Sequence, residues 1–208
     1  MKLYFSPGAC CLSCHIILEE TKTPFELVYV GKKAEAATKE AFLKVNPLGA
    51  VPALEFDDGR VLTQNMAILE YLADQHPQMD LIGKPGSWER AQTMRWLSFV
   101  AADLHKAFGL LFNLAGISSN PEAQKDIKAA AFKTLDKYCS LLEKHFQDHD
   151  YLAADRFSVA DAYLFTVYQW TRAVNFPTEK YPNLNAYSER LAKRPSIVAA
   201  HEREKKYK

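Results

Sequence analysis

The pattern of apolar residues changes once along this chain, and that change constrains the fold more than any other feature. Over about the first 75 residues, short runs rich in β-branched and aromatic residues alternate with helical patterns. The predicted strands cover residues 2–5, 25–30, 53–56 and 61–63, and the predicted helices cover residues 10–21, 35–44 and 65–75. The resulting order is β-α-β-α-β-β-α. Its first βαβ unit requires a parallel pair of strands, and the hairpin adds antiparallel strands.

Everything after this region is helical in character. Residues 77–86 hold two prolines and two glycines, which is typical of a linker. Helical patterns follow at 87–115, 121–147, 158–172 and 183–193, with a short turn from Ser196 and a tail from His201 that we expect to be frayed. Ser158 and Asp161 have the spacing of a capping box. We therefore expect a mixed α/β domain over residues 1–77, a linker over 78–86 and an all-α domain over 87–208.

Composition excludes several function classes. Of the 208 residues, 26 are Lys or Arg and 25 are Asp or Glu, so the formal net charge of +1 gives no reason to expect nucleic acid as a partner. No apolar run approaches the roughly 20 residues that cross a bilayer. Pro7 and Gly8 interrupt any signal-peptide core near the N-terminus. We expect a cytoplasmic protein that does not associate with membranes.

Three of the four cysteines lie within five positions of one another. Cys10 and Cys11 follow the Ser6-Pro7-Gly8 turn and open a predicted helix, where unpaired N–H groups and the helix dipole stabilise a thiolate. This position predicts a lowered thiol pKa, although small buried cysteines at a helix start are the simpler interpretation. Cys11 and Cys14 have the CxxC spacing of a reversible disulfide, or have it by coincidence. No second ligand cluster follows, so we expect no metal site.

Two further segments have the character of a peptide-binding site. A cis bond between Val51 and Pro52 would turn the Val51 backbone outward, free to pair with an extended peptide by strand addition; an ordinary edge proline is the alternative. Gln64 and Asn65 stand where a strand becomes a helix, and N–H groups at such an end bind carboxylates. Asn65 also fits a plain N-cap.

The predicted helix 87–115 carries polar residues on an otherwise apolar pattern. Ser98 and His105 lie seven positions apart and so share a helical face, and Lys106 follows directly. A lone histidine on a helix is usually structural. We expect a functional role for His105 only if this face points at Cys10.

Taken together and in order, these segments resemble the glutathione S-transferases, and specifically the bacterial beta class. The matching segments are MKLYFSPGACCLSCHI, NPLGAVPAL, DDGRVLTQNMAILEYLAD, LHKAFGLLF and FSVADAYLFTVYQW. The resemblance spans the whole chain. It implies a thioredoxin-like N-terminal domain followed by an all-α domain, a homodimer, and an enzyme that uses glutathione as its co-substrate without a metal.

The resemblance also assigns residues. Cys10 matches the cysteine that contacts the glutathione sulfur, with His105 as its catalytic partner. The other implied glutathione contacts are Cys11, Lys33, Val51, Gln64, Asn65, Ser98 and Lys106. We place a hydrophobic acceptor site, from position alone, at Phe108, Phe112 and Trp170. Three residues depart from the family pattern: Gln64 replaces an acidic residue and supplies no charge, Cys11 replaces a common serine, and Ser98 is shorter than the usual asparagine.

The leading hypothesis is that the thiol of bound glutathione attacks a small hydrophobic electrophile. Helix-end N–H groups, Cys10 and His105 would lower the pKa of its sulfur. One alternative is thiol–disulfide exchange, or deglutathionylation, in which Cys10 attacks mixed disulfides. Another is a non-catalytic protein that binds apolar ligands.

Overall fold

A computed structural model describes residues 1–207. Its first part is a four-stranded mixed sheet in the order β2-β1-β3-β4. The strands are β1 (Lys2–Phe5), β2 (Glu26–Tyr29), β3 (Ala53–Glu55) and β4 (Val61–Thr63), and the helices between and after them are α1 (Leu12–Glu20), α2 (Ala36–Val45) and α3 (Asn65–Asp74). β1 pairs parallel with β2 and antiparallel with β3, which pairs antiparallel with β4. The predicted thioredoxin-like order is confirmed.

The second part is all helical, as predicted. After a 3₁₀ turn at Pro77–Met79, the helices are α4 (Trp88–Phe99), α5 (His105–Phe112), α6 (Leu114–Ile117), α7 (Pro121–His145), α8 (Val159–Tyr168), α9 (Trp170–Ala173), α10 (Pro182–Leu191) and α11 (Pro195–Lys205). No helix among residues 1–207 is both long enough and apolar enough to cross a membrane.

Helix α8 is the centre of the helical part, since every residue of it is buried. Its N-terminus has the predicted capping box between Ser158 and Asp161. Asp161 also accepts a bond from the Leu152 N–H at 2.9 Å. Helix α1 packs against both α8 and α11, so one apolar core joins the two parts of the chain.

Two predictions about the helices are wrong. A π-helical turn over Val100–Leu104 divides the predicted helix 87–115 into α4 and α5. The described part of the tail, residues 201–207, is not frayed, because α11 continues to Lys205 and Glu204 is fully buried; Lys208 lies outside the described residues. The Glu204 carboxylate lies 3.1 Å from His15 Nδ1 and accepts the Gly8 N–H at 3.0 Å, and these bonds anchor the end of the chain.

Candidate active site

The turn after β1 is held by two contacts from the helical part of the chain. Gly8 has φ +72°, a left-handed conformation that favours glycine. Its N–H donates to Glu204, and its carbonyl accepts the Trp170 indole N–H at 2.8 Å. Contacts from α9 and α11 therefore fix the turn that presents Cys10.

The Cys10 side chain contacts the loop that contains Val51 and Pro52, which we call the proline loop. This half-buried side chain places Sγ 3.4 Å from the carbonyl oxygen of Val51, to which the S–H donates. The Val51–Pro52 peptide bond is cis, as predicted. Two segments that are 41 residues apart in sequence thus lie side by side.

The predicted lowering of the Cys10 pKa is wrong. The backbone N–H groups of Cys10 and Cys11 do lower it, but burial has the larger effect and raises the pKa to about 11. Cys10 is therefore a neutral thiol at physiological pH. As such it is a hydrogen-bond donor rather than a nucleophile.

The neighbouring cysteines are buried and form no disulfide; all four cysteines of the chain are free. The Cys11 S–H donates to the Ser6 carbonyl at 3.3 Å. The Cys14 S–H donates to Asn65 Oδ1 at 3.1 Å. Burial raises the pKa of both thiols well above the usual value. Neither group has the exposure that a redox pair would need.

A cavity of about 510 Å³ opens beside the proline loop; we call it the cis-proline cavity. Its lining residues are Cys10, Asn46, Ala50, Val51, Pro52, Gln64, Asn65, Met66, Ala101, His105, Lys106 and Tyr163. Six of the predicted glutathione contacts are among them: Cys10, Val51, Gln64, Asn65, His105 and Lys106.

The other three predicted contacts are not part of this lining. Cys11 is buried behind it. Lys33 is exposed on the loop after β2, where its N–H donates to the Tyr29 hydroxyl at 3.1 Å. Ser98 is exposed on α4, and the π-helical turn between it and His105 shifts the helical register, which removes the shared face that the spacing predicted.

A second cavity, of about 530 Å³, lies on the other side of Cys10; we call it the aromatic cavity. Its lining residues are Pro7, Gly8, Ala9, Cys10, Leu12, His105, Phe112, Thr166, Gln169, Trp170, Ala173 and His201. Phe112 and Trp170 are the walls predicted for an acceptor site. Phe108 is fully buried behind them, with its ring centroid 6.5 Å from that of Phe112 and 5.8 Å from that of Trp170.

His105 lines both cavities. Its Nδ1 lies 2.6 Å from the Tyr163 hydroxyl, and its ring centroid is 4.7 Å from that of Trp170 in an edge-on arrangement. Burial, with a smaller effect from Lys106, lowers the His105 pKa to about 4. The imidazole is therefore neutral at physiological pH. No pattern in the sequence pointed to Tyr163, which lies 58 residues further along the chain.

This geometry defines a class of protein. The cis-proline cavity is the more polar of the two, and its outward-turned proline loop and helix N-terminus suit a small peptide; the more apolar aromatic cavity adjoins it. A thiol and a neutral imidazole stand where the two meet. The arrangement is that of a two-substrate enzyme with a thioredoxin-like peptide site.

Comparison with known proteins gives the family. Residues 7–75 match the family model for the glutathione S-transferase N-terminal domain, and residues 95–195 match the model for its C-terminal domain. Glutathione S-transferase GstA of Escherichia coli O157:H7 is 37% identical over 201 residues, 96% of each chain. The bacterial beta class enzyme of Sphingomonas chungbukensis is 41% identical, with a TM-score of 0.86 over 98% of each chain. A sphingomonad glutathione S-transferase complexed with glutathione is 40% identical, also with a TM-score of 0.86 and 98% coverage of each chain.

The chain belongs to the glutathione S-transferase family. It is a transferase with glutathione as its co-substrate, and the structures it resembles include the bacterial beta class.

Proposed function

We propose that the enzyme binds glutathione in the cis-proline cavity and a small hydrophobic electrophile in the aromatic cavity. One observation carries this assignment: the two cavities share Cys10 and His105. A thiol bound at that junction faces a polar peptide site on one side and an apolar site on the other.

In the cis-proline cavity, glutathione extends along the loop. The Val51 backbone pairs with the cysteinyl part of the tripeptide, as in strand addition. Gln64 and Asn65, at the N-terminus of α3, hold the γ-glutamyl end, whose carboxylate is favoured by the exposed N–H groups there. Lys106 supplies a positive charge to the same cavity.

The chemistry requires a stable glutathione thiolate, because the thiolate is the nucleophile. Cys10 remains protonated at neutral pH and donates its S–H to the glutathione sulfur in place of the Val51 carbonyl. His105 is the second polar group at the junction. Donors that are already in place stabilise the anion without reorganisation.

The acceptor is an apolar, preferably aromatic, electrophile. Phe112 and Trp170 provide aromatic walls with ring centroids 5.4 Å apart. Such walls bind flat apolar molecules through area and edge-to-face contacts.

The structure favours conjugation over thiol–disulfide exchange. Exchange needs Cys10 as a thiolate, whereas burial raises its pKa to about 11. Accordingly, we expect Cys10→Ala to lower the rate of conjugation less than it lowers any rate of deglutathionylation, because conjugation loses one S–H donor whereas exchange loses its nucleophile.

We also propose that the enzyme is a homodimer, as the family resemblance implies. Leu48 and Trp88 are large apolar side chains that are mostly exposed in the single chain, and a second copy could cover such surface. Light scattering after size exclusion should give twice the 23.6 kDa mass of one chain. A mass of one chain at micromolar concentration would contradict the dimer.

The test of the proposed function measures both substrates separately. Isothermal titration should show one glutathione bound per chain, and the initial rate with 1-chloro-2,4-dinitrobenzene should saturate in each substrate. Glutathione binding without turnover would favour the ligand-binding alternative. No glutathione binding would contradict the proposal altogether.

A further inference from the structure

Tyr163 lies beneath the junction of the two cavities and has no part in the function proposed so far. It is a buried residue of α8 that lines the cis-proline cavity. Its hydroxyl oxygen is 2.6 Å from His105 Nδ1, a short hydrogen bond between two neutral groups. The direction of this bond decides which ring nitrogen of His105 carries the proton, and therefore whether His105 can donate a hydrogen bond to a bound thiol.

The protonation states of the two groups and the length of the bond between them determine the donor. A neutral imidazole has one N–H and one acceptor nitrogen, and burial keeps the Tyr163 hydroxyl protonated by raising its pKa. The 2.6 Å between the hydroxyl oxygen and Nδ1 is shorter than bonds donated by an N–H usually are and lies in the range of bonds donated by a hydroxyl. The Tyr163 hydroxyl is therefore the donor, and its single proton is directed to His105 Nδ1.

Asn65 lines the same cavity as Tyr163, and its amide is fixed by bonds to α1. Its Oδ1 accepts the Cys14 S–H at 3.1 Å, and its Nδ2 donates to Ser13 Oγ at 2.9 Å. Both atoms of the Asn65 amide are therefore held against the first turn of α1. Cys14 thus has a role that explains its burial without any redox chemistry.

The first turn of α1 completes the chain of bonds. Ser13 Oγ, which accepts from Asn65, donates its own proton to the Cys10 carbonyl at 2.7 Å. One polar chain thus runs from Asn65 through Ser13 to the backbone of Cys10, and a separate bond joins Tyr163 to His105. Each of the two groups at the cavity junction is therefore positioned by bonds from beneath the cis-proline cavity.

We propose that Tyr163 is a positioning residue that holds His105 as the Nε2–H tautomer, so that a neutral imidazole donates this N–H to the glutathione thiolate. The inference rests on the function proposed above. No proton is transferred: Nδ1 keeps its lone pair for the tyrosine, and Nε2 keeps its proton while it stabilises the anion. A neutral donor also leaves the thiolate unprotonated and therefore nucleophilic.

The test uses Tyr163→Phe, which removes the hydroxyl and keeps the ring. In the wild type, ¹⁵N NMR of the His105 ring should show a protonated Nε2 and an unprotonated Nδ1. In Tyr163→Phe the ring should become a mixture of the two tautomers. We expect kcat to fall about tenfold, the effect of one hydrogen bond in the transition state, and the KM for glutathione to stay within about twofold.

Tyr168→Phe is the matched control. Tyr168 is a buried tyrosine of the same helix, its hydroxyl donates to Asn185 at 2.7 Å, and it lines neither of the two cavities. The variant loses a comparable bond, so its kcat and its His105 tautomer should match the wild type.

A double-mutant cycle with His105→Ala separates positioning from a structural effect. In the His105→Ala background, Tyr163→Phe should cause no further loss of kcat. An equal loss in both backgrounds would overturn the proposal, as would an Nδ1–H tautomer in the wild type. Because the NMR measurement requires no turnover, failure of this inference is distinguishable from failure of the proposed conjugation.

Discussion

The two cavities that meet at Cys10 are built in different ways. The cis-proline cavity takes most of its lining from two short segments, residues 46–52 and 64–66, which contribute backbone groups as well as side chains. The aromatic cavity instead combines the turn after β1, residues 7–12, with side chains of the helical part: residues 166–173, Phe112 from α5 and His201 from α11. A polar peptide needs fixed backbone donors and acceptors, whereas an apolar substrate needs only a surface of suitable shape.

Because of this difference, we expect the two substrates to bind independently of each other. A side chain that lines one of them alone should affect one substrate alone, whereas Cys10 and His105 should affect the reaction itself. If the assignment of lining residues to the two cavities is wrong, substitutions in one cavity will change the affinity for both substrates.

The largest expected effect concerns Cys10 at the boundary. Because its folded-state pKa is about 11, the thiolate fraction and the rate of iodoacetamide alkylation should rise about tenfold per pH unit from pH 7 to pH 10. Mass spectrometry of the free enzyme measures this rate, since Cys11, Cys14 and Cys139 are buried and should react far more slowly. Saturating glutathione should protect Cys10. A rate that levels off near pH 7 would mean that the helix N-terminus outweighs burial after all.

His105→Ala should have the next largest effect, since it removes a donor at the junction. We expect kcat to fall about 100-fold, a magnitude typical of one lost donor to a developing anion. The KM values for both substrates should change little. The matched control is His149→Ala, which removes an exposed histidine from outside both cavities. A large rise in one KM with kcat intact would place His105 in a single cavity.

Phe112→Ala should change the aromatic cavity alone. Phe112 is 52% exposed, so its loss should cost little stability while it removes a wall of the cavity. We expect the KM for an aryl electrophile to rise about tenfold, in line with the area that an aromatic side chain contributes, and the Kd for glutathione to stay constant. Leu110→Ala, in the same helix at 44% exposure and in neither cavity, is the control. Equal effects of the two variants would contradict the assignment of the acceptor site.

The same contrast explains what the sequence could predict. The Cys10 turn, the cis bond before Pro52 and the start of α3 are local features, fixed by turn chemistry, proline and helix-end rules within a few residues. The proline loop and the start of α3 supply most of the lining of the cis-proline cavity, and the turn supplies Cys10. For this reason the fold order and most of the peptide site followed from residues close together in sequence.

The remaining features depend on distant contacts that no local pattern encodes. Glu204 holds Gly8 across 196 positions, and the hydroxyl that contacts His105 comes from 58 positions away. The direction of the Cys10 pKa shift was wrong for the same reason: the helix end was visible in the sequence, but the extent of burial is a property of the whole fold. The pattern of apolar residues also did not predict the π-helical turn before His105.

The smallest expected effect belongs to the cis-proline cavity. Gln64 lines that cavity at the start of α3 and is exposed. Gln64→Glu should lower the Kd for glutathione about fivefold, because a carboxylate makes a charge-assisted bond to the γ-glutamyl ammonium. Titration calorimetry at rising ionic strength checks the cause, since screening should shrink the gain.

Gln75→Glu is the control for Gln64→Glu. It adds the same charge at the C-terminal end of α3, outside both cavities. It should leave the Kd for glutathione unchanged. The KM for the electrophile should also be unchanged in Gln64→Glu. If that KM moves with the glutathione Kd, the two cavities do not recognise their substrates independently. The shared junction would then extend beyond Cys10 and His105 to the start of α3.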